Sequence, residues 1–552
     1  MKLRVLFLAL LLTFPIALAA LKRVAIAIVL DGCSCAMLKK ATPYFSGGLH
    51  ELLTHGTNYE QARFYSACTS TGPGHTTLST GAMPAQHGIV DNNWIDAAGN
   101  KVKCDAGDPQ TDAILAINGT HTYGASAKQI KCDTLSEQMH FAHAGQVIAI
   151  SLKRRAAICL AGKMGKAYWF NDAEAQFTTS RAYASQLPPW IERFNRVLHA
   201  HRDEGMVWKL RFPSTHPGYS FCDKEVYKYT AQPSLIGTHL KCVPIADDED
   251  DDTLCKPYSQ SPYALFDLLN LSLIALHQYE KSTEDNLLLW IGVSNLDKIG
   301  HIFGPTSIEY VDLLYQLDWA LGIFMQQVKR LFHDKELLFV LTSDHGYMPL
   351  PETLQDKGYY SAKRIVVTDL VNTIHQHLKE SQIAPIDICI KYPYVYIPPL
   401  LLQKYTTAEQ TKILSTTKKV LLACPAIRAV CTLDELVNQV APVPTSLIPF
   451  YRGLIFPDRA AQFYLLSEPY CYIGKYHHGA THKGPYNYTT HVPLIWYTPH
   501  RAQKTFIDKP VNIASITTSL AAFFGIEPPS AAFNTLLVNP YRTFSFLGRL
   551  WQ

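Results

Sequence analysis

Neither sign of charge dominates this chain. Its 50 basic and 46 acidic side chains leave a formal charge of +4 over 552 residues, which excludes the dense basic face of a nucleic-acid binder. Past residue 20 no apolar run approaches the ~20 residues that cross a bilayer; the stretch ITTSLAAFFGI is short and studded with hydroxyls. No unit of about 20 to 50 residues recurs, so a solenoid or propeller is excluded. Charged residues are only 17% against 47% hydrophobic, the balance of a folded protein with a large core and not of a disordered one.

The first twenty residues, MKLRVLFLALLLTFPIALAA, carry Lys2 and Arg4, an apolar run and then Ala17-Leu18-Ala19, the pattern of a secretory signal over 1–19 with the mature chain beginning near Ala20. The protein is therefore expected to be periplasmic or secreted, and soluble or only loosely attached to a membrane. Its 13 cysteines suit an oxidising compartment, with Cys222/Cys242/Cys255 or Cys424/Cys431 as candidate bridges and at least one thiol unpaired. Cys33 and Cys35 read as structural or disulfide-bonded.

Short continuous apolar runs recur at RVAIAIVLD (23–31), QVIAISLK (146–153), LLLWIGVSNLD (287–297), LLFVLTSDHG (337–346) and VPLIWYTP (492–499). Such runs mark strands covered on both faces. Between the third and fourth, Val311, Leu314, Leu321, Phe324, Met325 and Val328 repeat at helical spacing. The expected fold is α/β: a layered α/β/α sandwich on a largely parallel sheet, one domain over 20–552. Two stretches, about 165–285 and 350–475, break the alternation and read as insertions or caps. The acidic DDEDDD at 247–252 reads as a solvated loop, with calcium binding as the sharper alternative.

In such sheets ligands collect beyond the carboxyl ends of the strands. There the sequence places Asp31, then Asp297 with His301 four residues on, then Asp344-His345, and finally His482 in GATHKG. Each has an ordinary explanation alone: a turn, an i,i+4 pair, a cap, an exposed loop histidine. Their coincidence at strand ends supplies six ligands divisible into two sets of three, suited to two zinc ions with open positions. Thr71, in SACTSTGPGHTTLSTG, stands before glycines and a helix start whose free N–H groups favour an anion. Lys153 and Arg155 of SLKRR, two apart at a strand end, are expected to share one face and meet phosphate oxygens. Asn92 adds a neutral donor.

Taken together these residues resemble the alkaline phosphatase superfamily, specifically its exported bacterial phosphate-irrepressible members, which are related to the type I phosphodiesterase/nucleotide pyrophosphatases. The resemblance covers most of the chain apart from about 205–265 and 350–475. It implies that Thr71 becomes phosphorylated and also binds zinc. Asp31, Asp344 and His345 would hold the zinc at the nucleophile, and Asp297, His301 and His482 the other. Asn92, Lys153 and Arg155 would contact phosphate, the Lys-x-Arg marking the monoesterase branch. Departures are Gly72-Pro73, where relatives carry an aliphatic or small pair, and Lys163, where a histidine is common. His491 resembles a recurrent histidine that orients a ligand. A sulfatase needs a modifiable cysteine in Cys-x-Pro-x-Arg, whereas Cys68 is followed by Thr-Ser-Thr.

The expected function is a phosphomonoesterase of broad specificity acting through a phosphothreonine on small phosphate monoesters, with a monomer as the expected assembly. The rivals are a phosphodiesterase or nucleotide pyrophosphatase on the same metals, and an exported binding protein whose metal site is structural.

Overall fold

A computed structural model describes residues 22–115, 124–198, 206–240, 257–281, 286–501, 504–533 and 535–537. The signal segment, the acidic run 247–252, Cys242 and Cys255 lie outside the described residues. Nine strands form the main sheet: β1 (Arg23–Leu30), β2 (Thr57–Arg63), β3 (Gln146–Ser151), β4 (Lys166–Asn171), β5 (Gln176–Thr178), β6 (Asn286–Val293), β7 (Glu336–Thr342), β8 (Leu494–Tyr497) and β9 (Thr505–Asn512). Their order across the sheet is β9-β2-β8-β7-β1-β6-β3-β4-β5. The block β7-β1-β6-β3-β4 is wholly parallel, so four of the strands named from sequence point the same way. The fifth, β8, runs antiparallel to β7 and to β2.

The continuous apolar runs exist because both faces of this sheet are covered. Along β1, Val24, Ile26, Ile28 and Leu30 enter one core, and Ala25, Ala27 and Val29 the other. Among the helices that pack into these cores are α1 (Thr71–Thr80), α2 (Arg154–Ala161), α3 (Pro262–Glu280), α4 (Asn295–Phe303), α5 (Ile308–Leu331) and α6 (Ser515–Phe524). α3, α4 and α5 contribute to the first core, whereas α1, α2 and α6 contribute to the second. The architecture is the α/β/α sandwich expected. No helix among the described residues is long and apolar enough to cross a membrane.

In the stretch about 165–285, β4 and β5 complete the edge of the main sheet and α3 packs on it. The stretch 350–475 builds a separate four-stranded antiparallel sheet in the order Cys389–Lys391, Tyr394–Tyr396, Phe463–Ser467, Ile427–Thr432. Helices Val367–Glu380 and Thr407–Ala423 cover it around their own apolar core, including Ile374, Leu378, Ile413 and Leu421. Cys424 and Cys431 are free thiols, not a bridge. Cys424 packs in that cap core while Cys431 packs toward the core beneath, which separates their side chains. Cys33, Cys35 and Cys222 are free as well.

Candidate active site

The carboxyl ends of the parallel strands deliver the acidic residues. β1 ends at Leu30 and Asp31 follows; the chain then turns through Gly32 at φ +80°. A Cβ there would stand 2.9 Å from the Tyr347 ring, so only glycine fits both the backbone and the space. The Gly32 N–H donates to Asp344 Oδ1 at 3.2 Å, joining the end of β1 to the end of β7. Just past β7, the Ser343 hydroxyl accepts from Cys33 N–H at 3.0 Å and donates to the His345 carbonyl at 2.6 Å, which fixes the Asp344-His345 pair.

β6 leads directly into α4, so Asp297 sits in the first helical turn and His301 one turn later on the same side. His482 arrives from the opposite direction, on a loop tied down by Arg364, which pairs with Glu352 and donates from Nη2 to the Gly479 carbonyl at 2.7 Å.

The result is a buried cluster. His345 Nε2 lies 3.6 Å from Asp31 Oδ1 and 3.3 Å from Asp344 Oδ2. His301 Nε2 lies 3.5 Å from Asp297 Oδ2, His482 Nε2 lies 3.6 Å from Asp297 Oδ1, and the two Nε2 atoms are 3.2 Å apart. The rings of His345 and His482 stack with centroids 3.8 Å apart. Potential ligand atoms of Asp31, Asp344 and His345 all fall within 4.8 Å of one another, as do those of Asp297, His345 and His482. His345 therefore stands between the two sets, and His301 closes on the second through Asp297 and His482.

Each of these histidines points Nδ1 at a backbone carbonyl: His301 at Ala480 (3.1 Å), His345 at Gly346 (3.0 Å), His482 at Thr69 (2.5 Å). The carbonyl can only accept, so the proton is on Nδ1 and the Nε2 lone pair faces the cluster. Burial and the neighbouring His345 push His482 well below its ordinary value, which keeps it in the neutral, ligating form. Asp31 Oδ1, Asp297 Oδ1, His345 Nε2 and Thr71 Oγ1 are buried without a hydrogen-bond partner, whereas Asp31 Oδ2 meets the Lys153 ammonium and Asp344 Oδ2 meets His75 Nδ1. Buried oxygens so placed are costly unless a cation satisfies them. The donor set, carboxylate oxygen with imidazole nitrogen, fits a metal.

The electrostatics of the cluster agree. Asp31 is pushed up to about 6 by burial and by the Asp344 and Asp297 carboxylates, against Lys153 and His75. Burial also opposes the charge of Asp297, but the Lys153 ammonium beside it holds that carboxyl well below the usual range. Lys153 Nζ lies 3.2 Å from Asp31 Oδ2 and also contacts Asp297 Oδ2.

Thr71 is the first residue of α1, fully buried, with its hydroxyl on the helix N-terminus. The glycines of the motif have distinct uses. Gly72 N–H donates to Asn92 Oδ1 at 2.7 Å, which turns the Asn92 amide nitrogen away from that contact. At Gly74 an added Cβ would stand 2.7 Å from the Asp344 Cβ, so the absence of a side chain lets α1 lie directly on the cluster.

The sequence model of the type I phosphodiesterase/nucleotide pyrophosphatase family matches residues 25–484. The chain belongs to that family. Alkaline phosphatase PhoV of Synechococcus elongatus is 27% identical over 353 residues, and this match spans 61% of either protein, less than two thirds of PhoV. Alkaline phosphatase PafA of Elizabethkingia meningoseptica is 24% identical over 507 residues, 89% of either chain. The crystal structure of wild-type PafA matches with a TM-score of 0.80 at 22% identity, covering 93% of this chain and 98% of that one, so the two share a fold.

In this phosphodiesterase-family member several residues escape a sequence reading or sit differently from it. His75, one turn after Thr71, places Nδ1 3.0 Å from the Thr71 carbonyl and 3.1 Å from Asp344 Oδ2. It thus links the helix that Thr71 begins to a candidate ligand; the i,i+4 spacing from Thr71 was the available signal. Tyr347 donates to the Asp297 carbonyl at 3.2 Å and packs its ring edge-on to His301, His345 and His482.

Lys153 and Arg155 do not share a strand face. β3 ends at Ser151, Lys153 is the N-cap of α2, and Arg155 is the second residue of that helix. Both remain buried, at the helix N-terminus where an anion is favoured. His491 places its Nε2 2.8 Å from the Glu60 carbonyl. Lys163 lies beyond the far end of α2, bonded to the Cys132 carbonyl at 3.3 Å. Gly72-Pro73 begins α1 and leaves it intact.

This geometry has two measurable outcomes. Gly74→Ala forces its Cβ against Asp344, so it should lower metal content and cost roughly 1–3 kcal/mol of stability, read by metal analysis and denaturant unfolding. Because a proton on Asp31 competes with a metal, apparent metal affinity of the stripped protein should fall by about tenfold per pH unit below about 6 and not respond to this group above it. Competition titrations with a chromophoric chelator across pH 5 to 8 check the slope.

Proposed function

We propose that this chain is an exported phosphomonoesterase of broad specificity that holds two zinc ions and works through a phosphothreonine on Thr71. The observation that carries the reading is the convergence, in one buried place, of a partnerless threonine hydroxyl, a helix N-terminus, two sets of metal-type ligands and a buried Lys-x-Arg. Export is supported by the signal pattern over 1–19.

Thr71 Oγ1 forms the bond to phosphorus as the ester bond breaks, and water then releases phosphate from the threonine. Gly72 N–H is taken by Asn92 Oδ1, Pro73 has none and Gly74 N–H donates to the Ser70 carbonyl, so α1 brings the positive end of its dipole, and not a row of free donors, to the developing negative charge. Lys153 brings an ammonium to the cluster, and Arg155, at the start of α2, offers a planar fork to phosphate oxygens. Asn92 uses its oxygen on Gly72 N–H, which holds the loop and leaves its amide nitrogen to donate to substrate. Zinc held by Asp31, Asp344 and His345 on one side and by Asp297, His301 and His482 on the other would supply Lewis acidity to the nucleophile and to the leaving oxygen.

A phosphodiesterase is the second reading, favoured by the family match. A monoester presents more charge on its non-bridging oxygens than a diester does, and two buried cations suit the larger charge.

Thr71→Ala should lower kcat/KM on a monoester by roughly 10³-fold or more with metal content unchanged; unaltered turnover would remove the phosphothreonine from the scheme. Lys153→Ala and Arg155→Ala should each cost roughly 10²–10³-fold on an aryl phosphate and much less on the matched aryl methyl diester. Faster turnover of the diester by the unaltered protein would favour the diesterase.

A further inference from the structure

Beside the metal-type ligands His301 and His482 opens a cavity of about 410 Å³, which also reaches Asn92. It therefore lies on the side where the alcohol part of a substrate would leave, and its size suits a small-molecule group. Its outer wall comes from three places outside the main sheet: the hairpin Asn93–Ile95/Lys101–Lys103, the cap strand Cys389–Lys391, and the loop that follows the cap strand Tyr472–Gly474.

The charge of this wall is one-sided. Lys101, Lys391, Lys475 and Lys483 line it against a single carboxylate, Asp91. That carboxylate is already engaged: Oδ2 pairs with Lys483 Nζ at 2.6 Å and Oδ1 accepts from Asn92 N–H at 2.8 Å. Among the described residues the Lys391 ammonium makes no hydrogen bond or ion pair, although its side chain is half-buried in the cap strand. Burial pulls its pKa down and the nearby Asp91 charge resists. A half-buried ammonium held among others of its own sign is costly and favours an incoming anion.

We propose that this cavity is a leaving-group subsite for a second anionic group, with Lys391 as its main specificity residue. The favoured substrates would then be small phosphate monoesters that carry a further phosphate on the alcohol being released. The inference rests on the phosphomonoesterase reading and refines it by naming a substrate class. Asn92, which would meet the scissile phosphate, donates its N–H to Asp91, and the Asp91 carboxylate holds Lys483 of the lysine cluster.

The test compares kcat/KM of the metal-loaded protein on fructose 1,6-bisphosphate and fructose 6-phosphate, and on glucose 1,6-bisphosphate and glucose 6-phosphate, at low and high ionic strength. The bisphosphates should be preferred by about tenfold, and salt should erode that preference. Lys391→Met should lower kcat/KM on the bisphosphates by about tenfold, chiefly through KM, and leave the monophosphates within about twofold; Lys391→Arg should restore the preference. Equal kcat/KM for both members of each pair, or an equal fall on both in Lys391→Met with Lys391→Arg behaving likewise, would overturn the subsite while leaving the phosphomonoesterase standing. Absence of turnover on all four sugars and on an aryl phosphate would remove that reading and the subsite with it.

Discussion

Everything at the centre of this molecule answers to one constraint, the confinement of three buried aspartates in one place. Asp31, Asp297 and Asp344 are fully buried, and ligand atoms of Asp31 and Asp344 lie within 4.8 Å of each other. Two like charges at that distance repel by roughly 3–4 kcal/mol at an effective dielectric of about 20. Such a cluster stays ionised only if positive charge is brought to it. Lys153 brings one such charge, the N-terminus of α1 contributes a partial one, and the partnerless oxygens mark where cations complete the balance.

The sheet explains how such an arrangement is held. Parallel strands all end at one edge, and β1, β6 and β7 are neighbours there, so the residues just past them meet although they are far apart in sequence. The two helical layers then divide the work. α4, from one layer, carries Asp297 and His301; α1 and α2, from the other, carry Thr71 and the Lys153/Arg155 pair. Carbonyls at Thr69, Ala480 and Gly346 aim the imidazoles inward. The hairpin and the cap are built on separate sheets, and both send side chains such as Trp94, Tyr394 and Tyr464 into the core beneath the main sheet.

Much of this was legible in the sequence because continuous apolar runs ending in Asp, Asp and Asp-His state both the strands and what lies beyond them. The parallel core strands and the convergence of the six ligand-type residues follow from that pattern. The direction of β8 did not, because an apolar run reads the same in either sense. Nor did the position of Asp297: Ser294-Asn295 starts a helix immediately after β6, so the run to 297 crosses from strand to helix. Cys424 and Cys431 are close in sequence yet serve different cores, which spacing alone could not separate. The contact of His75 with Asp344 is hidden from a sequence reading, since the two are remote in the chain and become neighbours through packing across Gly74.

The order in which the ligand-type residues occur has a consequence for the newly made protein. They run from Asp31 to His482 across most of the polypeptide, so a ribosome releases the first of them long before the last. Until His482 docks under Thr69, only a partial claw exists. A chain that stops upstream of that histidine therefore lacks one member of the Asp297, His301 and His482 set.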